Sequence, residues 1–503
     1  MLSTPVSKQL LDPFKSDHLE ADLKGRSVRG GVLTVGVRGV SFLVQTISTI
    51  VLARMLAPAD FGLVAMVTSV SGLVMMFGDA GLSQATIQRL EINHDQVSTM
   101  FWINVGFSLL LMVVFASVAP VLAWLYGEPR VTLITLVFAG TFLFSGLMVQ
   151  HDALLQRQMR FVSLTVRDIA ASVVGVAVAI VVAWRGAGYW ALVALPAATS
   201  LTQMVLSWFF SRWRPGMPRW SPEVRSMVGF GGHLVGSNFL AYLGRNADNV
   251  LIGWYWGAGP LGLYSRAYGL LMLPLRQLNS PVASVAVPAF SRIQDDPERF
   301  ARYYLHTMNL IMWISAPLVG FLFIAAEPVI TVVLGAQWVE AAAVFQLLAI
   351  SALVQPLYNA LGWVFVSRGR ADRLFKMTIC ICPVVVGSFL VGLPFGIKWV
   401  ALCYSAALLI ILPFVFRFTF QGTQITLRGL WRALMWPVSL CLAAVSVAAL
   451  AGYLVAPEGN LLRIMVVAVV FTIVYALSLL IRPVREEVKS IAKLWRDRNV
   501  SRE

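Results

Sequence analysis

Apolar residues in this chain come in blocks of about 20, the length an α-helix needs to cross a hydrocarbon core of roughly 30 Å. The blocks follow one another with short pauses from Gly30 to Ile481. Of 503 residues, 58% are hydrophobic and 13% charged, whereas soluble domains run at about half apolar. A single soluble core cannot hide that excess. Inside a bilayer only helices and closed barrels satisfy every backbone hydrogen bond, and runs of this length select helices. The expected fold class is all-α integral membrane.

The pattern predicts fourteen transmembrane helices, over 30–54, 61–82, 99–126, 131–153, 163–184, 187–210, 228–256, 261–290, 303–334, 339–366, 374–394, 397–418, 430–455 and 461–481. Some exceed one membrane thickness, and Pro274, Pro281, Pro317 and Pro356 mark candidate bends, since proline removes an internal hydrogen bond. The first span follows a polar segment with Lys8, Asp12, Lys15, Asp17, Glu20, Lys24 and Arg26, so no cleavable signal is expected and the first helix stays in the membrane.

The net charge of +15 could suggest nucleic acid, but the basic residues are scattered over short loops instead of forming one patch. No nucleic-acid partner is expected. Alternate connections carry Arg157 and Arg160; Arg212, Arg214, Arg219 and Arg225; Arg292, Arg299 and Arg302; Arg368, Arg370, Arg373 and Lys376; Arg417, Arg428 and Arg432. The opposite connections offer little beyond Arg54, Arg130, Arg185, Lys398 and Arg463. By the positive-inside rule both termini are expected in the cytoplasm, as an even number of spans requires.

A shift of 200 residues sets Val51-Leu52 on Leu251-Ile252 and Phe61-Gly62-Leu63 on Leu261-Gly262-Leu263. A slightly larger shift sets Pro120-Val121 and Tyr126-Gly127 against Pro328-Val329 and Leu334-Gly335. Six helices separate the copies, so the halves are expected to be parallel, related about an axis normal to the membrane. The division is then a cytoplasmic segment 1–27, a first six-helix lobe 28–210, a linker 211–227, a second lobe 228–418, two added helices within 430–482 and a basic tail 483–503. In that tail Val484, Val488, Ile491 and Trp495 fall at helical spacing opposite Arg485, Lys489, Lys493 and Arg496. An interfacial helix on an anionic surface and a solvated helix both fit.

Ionisable residues within spans are costly unless they face protein or a water-filled cavity. Arg38, Ser41, Gln45 and Ser48 share one face of the first helix. The 200-residue shift puts Asn238, Arg245 and Asp248 at the equivalents of Arg38, Gln45 and Ser48. Two readings stand: the faces line a shared cavity, or Arg245 and Asp248 neutralise each other as an i, i+3 pair. Arg266, beside Tyr264 and Tyr268, adds another intramembrane cation. Asp79 and Asn279 coincide under the same shift and read as helix caps or as a gate between the halves. His233 and His306 read as packed histidines rather than proton relays, and Cys380, Cys382, Cys403 and Cys441 as structural thiols. No GxSxG, P-loop, HExxH or clustered metal-ligand motif occurs, and no loop is long enough for a catalytic domain. An intramembrane enzyme stays open, with very few carboxylates to draw on, and no cofactor is expected.

Several segments resemble a known family. The run Gly244-Arg245-Asn246-Ala247-Asp248-Asn249-Val250-Leu251-Ile252-Gly253, then Leu261-Gly262-Leu263-Tyr264-Ser265-Arg266-Ala267-Tyr268 and Pro288-Ala289-Phe290-Ser291-Arg292-Ile293-Gln294, is similar to Wzx-type polysaccharide flippases of the colanic-acid-exporter branch. So are Ala53-Arg54-Met55-Leu56-Ala57-Pro58-Ala59-Asp60-Phe61-Gly62-Leu63-Val64-Ala65-Met66, Gly81-Leu82-Ser83 and Gly188-Tyr189-Trp190-Ala191-Leu192-Val193. The resemblance covers about residues 28 to 418. It implies the fold of the multidrug, oligosaccharidyl-lipid and polysaccharide exporter superfamily: a V-shaped pair of six-helix lobes, alternating access and a cationic cavity. It also implies the substrate, an undecaprenyl-diphosphate-linked oligosaccharide.

Arginine suits a diphosphate because its planar guanidinium donates bidentate, charge-assisted hydrogen bonds and stays protonated. Arg38, Arg245 and Arg266 are therefore the candidate diphosphate or glycan contacts, with Ser41, Gln45, Ser48, Asn238 and Asp248 as polar lining. The expected partners are the lipid-linked oligosaccharide, membrane lipids and a polysaccharide polymerase or chain-length regulator. Coupling to H⁺ or Na⁺ is left open. An ion-coupled drug or metabolite antiporter would use Asp248 as carrier, and a membrane polymerase would need a larger outward loop than this chain offers.

Overall fold

The computed structural model describes residues 23–76, 82–89, 92–219, 235–455, 459–481 and 484–486, and among them there is no strand. The chain divides into two compact units, Met1–Leu243 and Gly244–Glu503. In the first the helices are α1 (Leu23–Met55), α2 (Pro58–Met75), α3 (Leu82–Gln88), α4 (His94–Tyr126), α5 (Arg130–Arg157), α6 (Phe161–Trp184) and α7 (Trp190–Ser211). Helix α8 (Val235–Trp256) contains the unit boundary. The second unit continues with α9 (Ala258–Arg292), α10 (Pro297–Ile324), α11 (Ala326–Val333), α12 (Ala341–Ser367), α13 (Ala371–Gly392), α14 (Ile397–Thr419), α15 (Leu427–Val455) and α16 (Asn460–Ser478).

Local chemistry sets many of these ends. At the start of α4, Asn93 Oδ1 accepts from Gln96 N at 2.9 Å while Asn93 N donates to Gln96 Oε1 at 3.2 Å, a reciprocal capping box. Gly127, with φ 62°, closes the same helix in the left-handed conformation that glycine adopts without strain. Asp296 accepts from Arg299 N at 3.0 Å and Pro297 occupies the first turn of α10, where its missing N–H costs nothing.

Eleven described helices are long and apolar enough to cross a membrane. Their outward faces carry stripes such as Leu110, Val113 and Val121 on α4, each more than half exposed. Water would not tolerate that much contiguous apolar surface; lipid does, and the chain is a multi-pass membrane protein. The three other long helices, α1, α8 and α9, are not among the eleven, although the Gly39–Met55 stretch of α1 is itself apolar. Helices α8 and α9 carry Arg245, Asp248, Arg266 and Arg276 together with several asparagines.

Two expectations need correction. The run 303–334 is not one helix: α10 stops at Ile324, the chain turns at Ala325 (φ −87°, ψ 17°), and α11 begins at Ala326. Pro328 has no N–H to offer the Ile324 carbonyl. Pro120 removes the same kind of bond from α4, which continues unbroken, so proline permits the break without dictating it. The span 61–82 is also shorter than expected: α2 runs from Pro58 to Met75, and a separate helix, α3, starts at Leu82. Helices α9, α10 and α12 continue through Pro274, Pro281, Pro317 and Pro356.

The same packing pairs recur in each unit. In the first, α4 packs on α5, α6 on α7, α5 on α7 and α2 on α5; in the second, α10 packs on α12, α13 on α14, α12 on α14 and α9 on α12. The repeat seen at a shift of 200 residues is therefore present in the helix pairing. Helices α15 and α16 stand outside it: α15 packs on α10, and α16 on α15 and α11.

Small residues bring α6 and α7 together. Ala171, Gly175, Ala179 and Ala183, one per turn, are all buried. A Cβ on Gly175 would lie 2.0 Å from Thr199 Oγ1 and 2.9 Å from the Leu195 carbonyl oxygen, so the helices touch where glycine leaves room.

Residues 212–219, which follow α7, are strapped to the start of α4. Trp102 Nε1 donates to the Gly216 carbonyl at 2.8 Å, Gly216 N to Ser98 Oγ at 2.9 Å and Arg219 N to Thr99 Oγ1 at 2.9 Å. Arg219 also pairs with Asp95 at 3.0 Å.

Candidate functional site

On α8, Arg245 and Asp248 lie one turn apart yet in opposite environments. Arg245 is exposed, whereas Asp248 is buried at 4% exposure. Among the described residues no ion pair joins them. Asp248 is satisfied elsewhere: Tyr264 Oη on α9 donates to its Oδ2 at 3.0 Å, and Asn249 N donates to its Oδ1 at 2.8 Å. Tyr268 and Tyr404 lie close enough to the same carboxylate to feel its charge. The result is a buried carboxylate ringed by phenols, with a free-standing guanidinium one turn away.

Beside Arg245 the helix is closely packed. A Cβ on Gly244 would meet Cys382 Sγ at 3.2 Å, so α8 approaches α13 closely beside Arg245. At the far end of α8, Trp256 Nε1 donates to the Leu393 carbonyl at 2.8 Å. Arg266 sits half-buried on α9, two residues beyond the fully buried Tyr264.

In α1 the exposed apolar residues Val40, Leu43 and Ile47 occupy one side. Gln45, also exposed, lies roughly opposite them at about 100° per residue. Ser41 is half-buried and Ser48 is covered, at 5% exposure. Asn279 and His306 are half-buried. The side chains of Arg38 and Asn238, and residues Asp79 and His233, lie outside the described residues, as does most of the tail 483–503.

A polar network inside the first unit escaped the sequence reading. Arg167 on α6, 8% exposed, pairs with Asp152 on α5 and with Asp168 at 2.8 Å, and its Nη1 donates to Ser207 Oγ on α7 at 3.0 Å. Ser207 Oγ in turn donates to Asp152 at 2.7 Å, and Gln203 Nε2 donates to Asp168 at 3.2 Å. One buried cation and two carboxylates thus tie three helices. The available signal was their position within predicted spans, where charge always requires an explanation. Nearby His151 is fully buried, its Nδ1 2.8 Å from Ser211 Oγ and its ring 4.4 Å from that of Trp208. Outside the spans, the guanidinium of Arg130 at 2.7 Å holds the Glu128 carboxyl below the usual glutamate range.

Among the described residues no group of three or more His, Cys, Asp or Glu side chains could hold a metal ion. Within the second unit, Arg245 and Arg266 thus lie on the same two helices as the buried Asp248 carboxylate and its Tyr264 partner.

The fold is one already seen in solved membrane proteins. It matches the lipid II flippase MurJ in its inward closed conformation with a TM-score of 0.68 at 12% identity, over 90% of this chain and 99% of that one. It also matches an inward-facing multidrug resistance MATE family transporter with a TM-score of 0.58 at 14% identity, over 80% and 95%.

The chain belongs to the polysaccharide biosynthesis protein family, whose pattern matches residues 51–343, more than half of its length. It is 27% identical over 299 residues to the teichuronic acid biosynthesis protein TuaB of Bacillus subtilis, 59% of this chain and 62% of that protein. It is 26% identical over 373 residues to the lipopolysaccharide biosynthesis protein WzxC of Escherichia coli, 72% and 74%. With the succinoglycan biosynthesis transport protein ExoT of Rhizobium meliloti it shares 28% over 330 residues, 65% of each chain.

Proposed function

We propose that this protein moves an undecaprenyl-diphosphate-linked oligosaccharide repeat unit from the cytoplasmic to the periplasmic leaflet for polysaccharide biosynthesis, by alternating access of two six-helix lobes. The carrying observation is Arg245, an exposed guanidinium without an ion pair among the described residues, in a family of polysaccharide biosynthesis proteins. The diphosphate and glycan cannot enter hydrocarbon unaided, but the polyprenyl tail can remain in lipid while the head follows a wet, cationic passage. Arg245 and Arg266, with Arg38, are assigned to the diphosphate, and Ser41, Gln45, Ser48, Asn238 and Asp248 to the polar lining. Asp79 and Asn279 are assigned to helix caps or a gate.

Fourteen crossings with both termini in the cytoplasm fit the arginine asymmetry. A polysaccharide polymerase or chain-length regulator is the expected protein partner. The deciding experiment deletes the gene and assays the leaflet in which undecaprenyl-diphosphate oligosaccharide collects. Accumulation on the cytoplasmic side supports the flippase reading; an unchanged distribution with normal polymer export overturns it.

A second reading, ion-coupled exchange of a drug or metabolite, rests on the buried Asp248 carboxylate and its tyrosines. Export that persists with the H⁺ and Na⁺ gradients collapsed would remove its basis.

A further inference from the structure

The start of α15 carries a cationic surface that the proposed transport cycle does not use and that lies beyond the family-matched residues 51–343. Leu427, Arg428, Trp431, Arg432 and Met435 share one face of its first turns and all are exposed, Trp431 at 69%. Across the short connection, Phe414 and Arg417 are exposed at the end of α14. The opposite face of α15 is committed to the protein: Leu430, Pro437 and Cys441 are buried, and Asn309 Nδ2 on α10 donates to the Ala433 carbonyl at 2.6 Å.

The platform is held in shape. Arg368 and Arg373 each donate to the connection, at the carbonyls of Gly422 and Gln421, both at 3.4 Å. Phe420 and Ile425 anchor it in the core, and Thr426 Oγ1 accepts from Gly429 N at 3.0 Å.

The charge is unbalanced. No Asp or Glu occurs between residues 373 and 457, and among the described residues Arg417, Arg428 and Arg432 have no ion pair. Arg428 and Arg432 share their helix face with exposed Trp431 and Leu427. A soluble anion would answer the charge but leave the apolar side chains in water, whereas a phospholipid with an acidic headgroup answers both.

We propose that the α14–α15 end of the second unit is a binding site for an anionic phospholipid. Arg428 and Arg432 hold its phosphate, Arg417 adds to the local positive field, and Trp431 and Leu427 pack on its glycerol and upper acyl region. The bound lipid holds α15, and α16 behind it, against α10. This goes beyond the flippase reading and does not require the bound lipid to be transported.

The test uses the full-length protein in nanodiscs of phosphatidylcholine with or without phosphatidylglycerol, reading lipid retention by native mass spectrometry and thermal unfolding. The wild type should retain phosphatidylglycerol preferentially and unfold at higher temperature with it. Arg428→Ala with Arg432→Ala should weaken retention by on the order of tenfold to thirtyfold, the cost of two arginines at an anionic surface. Trp431→Ala should weaken it less, and Lys398→Ala not at all.

Equal retention of the two lipids by the wild type, or an unchanged double variant, overturns the proposal. Full competition by glycerol phosphate with no effect of Trp431→Ala assigns the patch to a soluble anion and overturns it as well. If the alanine pair fails to fold, Arg428→Gln and Arg432→Gln made singly should each show a partial loss, and wild-type retention by both is an overturning result. Because the readout is lipid retention, normal polymer export after gene deletion, with retention intact in the purified protein, would count against the flippase reading alone.

Discussion

The Tyr264 hydroxyl donates to Asp248 Oδ2 at 3.0 Å, bridging α9 to α8 and leaving Arg245, one turn before Asp248, without that carboxylate as partner. Arg245 is thus spared neutralisation by its neighbour in sequence, and this separates two outcomes of mutation. Arg245→Ala should abolish export at near wild-type abundance, and Arg245→Lys should restore part of it, since a point charge lacks the guanidinium fork. Arg245→Ala with Asp248→Ala should remain inactive while folded. Near-normal export by the double variant would show that the arginine only balances the aspartate.

Tyr264→Phe removes one donor from a buried carboxylate. The expected cost is about 1–3 kcal/mol, the penalty for leaving a buried charged acceptor short of a partner, read as a lower unfolding temperature in detergent. Adding Asp248→Leu should recover part of that loss, because neither polar group is then stranded. Additive losses would place the tyrosine's contribution outside this bond.

Arg167 holds Asp152 and Asp168 in the first unit, so Arg167→Met strands buried negative charge. A cost of about 3–5 kcal/mol is expected from breaking such a group on one side. Combining it with Asp152→Leu and Asp168→Asn should be milder than Arg167→Met alone. Protein yield and thermal unfolding of the two variants report the order directly.

The arginine asymmetry predicts a topology. Reporters fused after Arg212, Arg292, Arg368 and Arg428 should read cytoplasm, and those after Gly127, Gly257 and Leu334 periplasm. A reversed pair would break the fourteen-span arrangement.

What could be read in advance depended on how local its cause was. Spans follow from runs of apolar residues, and nearly all long helices fall where those runs lie. The repeat was visible as Phe61-Gly62-Leu63 against Leu261-Gly262-Leu263, and it reappears as matching helix pairs. The break at Ala325 was hidden because the residues on both sides are apolar. Asp248 had an obvious partner three residues away, yet its short side chain is buried beside Tyr264, while the longer Arg245 is exposed. The Arg167 network was missed for a related reason: apart from adjacent Asp168, its members lie 15 to 40 residues from Arg167, and no periodicity marks which helix faces will meet.

The glycine at position 175 has a mechanical corollary. With Thr199 and the Leu195 carbonyl pressed into the gap it leaves, α6 and α7 cannot slip by a turn without driving a larger side chain into backbone. The two helices act as one beam. Any movement of the first unit in the proposed transport cycle should carry them together.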